Sequence, residues 1–141
     1  MRSSDDSGMA LVETILVSLV LLVPLVWALG VLADVHRGAL ATTAAAREGA
    51  LAAARADGFA DALHDLENSV AYAMADHGLD FENARVKSSV PRRRIRGALV
   101  EVEVAYPVSV LQAPFLGRVA GPSVVVRAKN VVRIDPYRSR S

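Results

Sequence analysis

Cysteine is absent from the 141-residue chain, so no disulfide can staple it and no thiolate can hold zinc. Aromatic residues make up only 5%, although hydrophobic residues reach 52% and the mean hydropathy is +0.31. Much of that excess is alanine, which points to helix interfaces built from small side chains. Catalytic signatures are lacking as well. No serine lies in a nucleophile-elbow motif, no glycine-rich phosphate loop precedes a helix, and the histidines have no carboxylate partner at motif spacing. His64 and His77 stand on different faces of an ideal helix, so they read as solvated side chains rather than metal ligands. The expectation is a protein that is not an enzyme, with no cofactor, no metal and no small-molecule substrate.

Positive charge is scarce in the first part of the chain. Residues 1–84 hold four Arg against twelve Asp or Glu, whereas residues 85–141 hold twelve Arg or Lys against Glu101, Glu103 and Asp135. The total of +1 therefore hides balances of −8 and +9, and halves of opposite sign attract each other within a chain or between neighbours. No basic helix with interleaved aromatics accompanies the second half, so nucleic acid is not an expected partner.

Charge is missing altogether from residues 15–33, ILVSLVLLVPLVWALGVLA. At the helical rise these nineteen residues extend roughly 28 Å, close to the thickness of bilayer hydrocarbon. A small domain could not bury a helix that is apolar on all sides, so a transmembrane helix is expected, with membrane lipid as its solvent. Pro24 near its middle predicts a kink rather than a break, and Trp27 is placed to pack against a helix rather than at the headgroups. Glu13 sits at the edge of the apolar run, where an isolated carboxylate costs on the order of 3 kcal/mol in hydrocarbon. It lies either at the headgroup boundary or opposite a cation in an assembled state. A secretory signal cleaved after Ala33 is the competing reading of the segment, but its apolar stretch exceeds the usual 7–15 residues.

The segment Ser7-Gly8-Met9-Ala10-Leu11-Val12-Glu13, a hydrophilic leader ending in Gly followed by apolar residues and a Glu, resembles a prepilin-type signal. The run Ala44-Ala45-Ala46-Arg47-Glu48-Gly49-Ala50, the strand from Val100 to Val108, Pro114-Phe115-Leu116-Gly117 and a last strand over 124–134 extend the likeness. Together they resemble TadE-like pilus-assembly proteins, the minor pseudopilins of the tight adherence system. That resemblance implies cleavage by a prepilin peptidase after Gly8, with Met9 as the new N-terminus and Glu13 serving assembly with other pilin or pseudopilin subunits. It also implies a single-pass protein of the bacterial cell membrane, with its N-terminus cytoplasmic and its head extracytoplasmic; Arg2 and Arg37 alone give little asymmetry of charge. A membrane-tethered binding or sensor module unrelated to pili is the alternative.

Beyond the span, residues 39–56 hold ten Ala, with Ala41, Ala45, Gly49 and Ala53 at four-residue spacing on one helix face. Such a ladder suits close helix packing. Asp57-Gly58 reads as a break, and a second helix is expected over 60–76 with Leu63, Leu66, Val70 and Met74 on one face. From residue 79 the period turns to alternation, and strands are expected over 84–90, 98–106 and 123–134. Val100, Val102, Val104 and Tyr106 would face a core, while Glu101 and Glu103 would meet Arg127, Lys129 and Arg133 across strands. The basic run 91–97 reads either as a solvated hairpin loop or as a contact for anionic headgroups or for the acidic N-terminal half of a neighbour, and the apolar connection 108–121 as a cover for the sheet edge or a contact for a partner. The expected architecture is α+β: a leader at 1–8, a transmembrane helix at 9–33, a head of two helices and a three-stranded antiparallel meander at 34–135, and a flexible tail at 136–141. The resemblance implies that such a head is pilin-like.

Overall fold

The computed structural model describes residues 3–93, 97–110, 112–113, 117–118 and 121–135. Two compact units make up the chain, Met1–Asp34 and Val35–Ser141, and helix α1 (Ser3–Arg55) contributes to both. In the first unit the helix runs without interruption through Pro24, and its apolar side chains from Met9 to Leu29 are exposed, as is Leu32. Trp27 remains 41% exposed.

The second unit is α+β. Helix α1 ends at Arg55, Gly58 takes an extended backbone, and Ala62 N–H donating to Gly58 O opens α2 (Phe59–Asp76), one residue earlier than expected. At the far end Gly78 adopts φ +70°; its N–H reaches Ala75 O, and Leu79 N–H reaches Met74 O. This pair of bonds closes the last turn in the manner of a Schellman motif, which needs a residue tolerant of left-handed backbone at that position. A 3₁₀ turn (Phe81–Asn83) leads into β1 (Arg85–Ser89), and β2 (Leu99–Ser109) follows. Two-residue strands β3 (Gln112–Ala113) and β4 (Gly117–Arg118) pair with each other before β5 (Ser123–Arg133).

The main sheet has the order β1-β2-β5 with both pairings antiparallel. Val104 lies opposite Val86 on one side and Ala128 on the other, which puts the even-numbered residues of β2 on the face shared with Val126, Ala128 and Val132. Val100, Val102, Val104, Tyr106 and Val108 are buried there. Helix α1 covers them with Ala41, Ala45, Ala46, Ala50 and Ala53, and α2 adds Leu66, Val70, Ala73 and Met74. An alanine face lets the helix lie close, so that branched valines fill the space. Thr42, a buried polar side chain in this layer, donates its hydroxyl back to Gly38 O at 2.9 Å.

Further details differ from the sequence expectation. Strand β2 continues to Ser109, three residues beyond 106, because Pro107 is tolerated: β1 pairs no further than Ala105, so the donor Pro107 lacks falls on a side with no neighbouring strand. Residues 84 and 90 fall outside β1, and β5 stops at Arg133, although Ile134 N–H still donates to Ala98 O. Leu63 is only partly buried, and Ala62 takes the core position beside Leu66. The connection after β2 carries the small β3–β4 ladder, while Leu111, Phe115 and Leu116 lie outside the described residues, as does the tail 136–141.

Candidate functional site

Two regions bear the residues singled out from sequence. The first is the start of α1. Gly8, Met9 and Glu13 all lie on continuous helix, Gly8 with open space around it, Met9 73% exposed and Glu13 exposed. Thr14 satisfies its own hydroxyl on Ala10 O at 2.8 Å. From Gly8 onward the helix is long and apolar enough to cross a membrane, and none of its most apolar stretch is buried against the rest of the chain. Leu and Val side chains occur on every side of it, so no single stripe could be hidden by packing on one partner surface.

The second region is the helix layer of the head. Ala41, Ala45 and Ala53 are fully buried and Gly49 is buried, so the small-residue ladder is occupied by the chain's own core. A Cβ on Gly49 would stand 2.7 Å from a Val70 methyl on α2, which is why a hydrogen is required there. Gly38 plays the same part toward the sheet, where a Cβ would meet methyls of Val108 and Val126 at 2.8 and 3.0 Å. The sequence singles out the ladder but not Gly38, because an isolated glycine in a helix carries no sign of which strand will cross it.

The solvent face of the sheet is charged. Glu103 lies opposite both Lys87 and Lys129, yet the ion pair runs diagonally, from Lys129 Nζ to Glu101 Oε1 at 2.6 Å. Arg127 and Arg133 face Ala105 and Leu99 instead of glutamates. In the basic run 91–97, Arg92 stacks its guanidinium over the Phe59 ring, 5.9 Å from the centroid, so the loop is tied to the start of α2 rather than wholly solvated. Residues 94–96 of that run lie outside the described residues.

An open groove of about 600 Å³ lies between the end of α1 and α2. Ala52 and Arg55 contribute from the end of α1, Ala56 and Asp57 from the turn that follows it, and Asp61, Asp65, Asn68, Ser69 and Tyr72 from α2. His64 shares a hydrogen bond with Asn68 on the exposed side of α2, at 3.0 Å. No family model, no curated protein and no solved structure matches the chain.

Proposed function

We propose that the protein is a membrane-anchored structural subunit, a TadE-like minor pseudopilin acting in the assembly or export of a type IV-like (tight adherence) pilus. The observation that carries this reading is the start of α1, where Gly8, Met9 and Glu13 precede a helix apolar on every side. Bilayer hydrocarbon is the environment that accepts such a surface, since each exposed methylene costs about 0.8 kcal/mol in water. The helix crosses the membrane once, with its N-terminus cytoplasmic and the α+β head, pilin-like in its helix-then-meander order, on the extracytoplasmic side. A prepilin peptidase cleaves after Gly8. The ammonium so created at Met9 is the cation that Glu13 of a neighbouring pilin or pseudopilin subunit neutralises in a medium where an unpaired carboxylate is costly. The protein acts by assembling, not by catalysis.

Substitution at Glu13 tests this role. Glu13→Ala removes a charge from the edge of the apolar run, so the variant inserts at least as well as the wild type but no longer co-purifies with pilin partners. Glu13→Gln keeps the shape and loses the charge, and it falls near the alanine variant. Undiminished recovery of partners with both variants would return Glu13 to a headgroup-boundary residue and remove the assembly role.

A further inference from the structure

Two surfaces of the head are complementary in charge and in spacing, and each is only partly matched within its own copy: Lys129 pairs with Glu101, and Arg55 shares the groove with the aspartates. The outer row of β5 presents Arg127, Lys129 and Arg133, all exposed, with Val131 between them at 46% exposure. The groove beside α2 is lined by Asp61, Asp65 and Tyr72, the last 74% exposed, with Arg55 on its α1 side; Asp76 lies beyond the lining, further along the same helix. Among the described residues no ion pair engages Asp61, Asp65 or Asp76, and Lys129 is held only by an exposed pair with Glu101, a contact worth little. The outer row of β5 turns away from the helix layer, because the opposite face of the sheet is the one packed on α1 and α2. Strand and groove on one copy therefore cannot reach each other.

We infer that the groove between α1 and α2 receives the outer row of β5 from a second copy of this chain. Alternate residues on a strand stand about 6.8 Å apart, and residues four apart on a helix stand about 6 Å apart, so Arg127 and Lys129 match Asp61 and Asp65 in pitch. Continued along both elements, Arg133 lies about 20 Å from Arg127 and Asp76 about 22 Å from Asp61, which brings the third pair into register. Val131 then falls in the interval where Tyr72 supplies an apolar ring. Ala52 and Ala56 form the part of the groove that small side chains keep open. The strand row faces away from the helix layer that bears the groove, so one neighbour cannot engage both surfaces of a copy; the contact is heterologous and propagates from copy to copy instead of closing as a two-fold dimer. The inference goes beyond the pilus reading: it involves the head alone and holds whether or not residue 8 is a cleavage site.

The test uses the full chain in detergent micelles, with self-association followed by analytical ultracentrifugation. Wild-type protein forms a concentration-dependent series of species, and D61K/D65K and R127E/K129E each weaken it by tenfold or more. Mixing the two variants restores association, because the unchanged strand of the first meets the unchanged groove of the second and the reversed pair is again opposite in charge. The rescue also shows that both variants are folded. Association that survives both reversals would assign it to the apolar helix and overturn the inference. Failure of the mixture to recover would overturn it as well. The third contrary outcome is a wild-type protein that stays monomeric but binds vesicles containing anionic phospholipid through Arg127 and Lys129, which would give the basic row to a membrane surface.

Discussion

Gly49 shows how much of this head depends on a single missing methyl. In a helix interior alanine is favoured over glycine by about 1 kcal/mol, so on propensity alone Gly49→Ala is stabilising. Contact reverses the sign. The added Cβ would stand 2.7 Å from a methyl of Val70, which is fully buried and cannot rotate away. Overpacking of this kind costs about 1–3 kcal/mol. Urea unfolding of Gly49→Ala should show a net loss of stability, and Gly49→Ala/Val70→Ala should lose less than the sum of the two single changes. A net gain for Gly49→Ala would mean that α2 lies further from α1 than described. The spacing of Ala41, Ala45, Gly49 and Ala53 made this face legible in the sequence, but what it faces was not legible, because a small-residue ladder is equally suited to a partner helix and to the chain's own core.

Alternation made the strands readable, as Val100, Val102 and Val104 against Glu101 and Glu103 fix which face of β2 is buried, although not which residue of β5 lies opposite each. Val102 is fully buried at the centre of β2. Val102→Asp places an unpaired charge there and should cost several kcal/mol, enough to unfold the head or mark it for degradation. Glu101→Lys loses only an exposed ion pair with Lys129 and should stay within about 1 kcal/mol of the wild type. Equal stability of the two, measured by chemical denaturation, would refute the register. The ends of the elements were harder to read. Pro107 resembles a stop signal, yet β2 passes through it because β1 is too short to need its N–H. The β3–β4 ladder is two residues long on each side, below the length at which alternation can be recognised. At the end of α2 the φ of +70° at Gly78 predicts that Gly78→Ala lowers the melting temperature, at about 1 kcal/mol, with no loss of core contacts since open space surrounds that position.

On the scale of the whole molecule, composition carried two messages of unequal clarity. The charge-free run at 15–33 announced one apolar helix, and α1 presents it exposed on every side. The opposite balances of residues 1–84 and 85–141 announced an attraction without a location, because the groove at Asp61 and Asp65 exists only once α1 and α2 are side by side. The central proposal, a subunit that is processed and then assembled, rests on the Gly8-to-Glu13 segment at the head of that helix. Mass spectrometry of the N-terminus of the protein isolated from its own membranes tests it most directly. Met9 as the first residue is the predicted result. A chain that retains Gly8 and the residues before it, or one that begins at Asp34 after a secretory cleavage, would contradict the proposal.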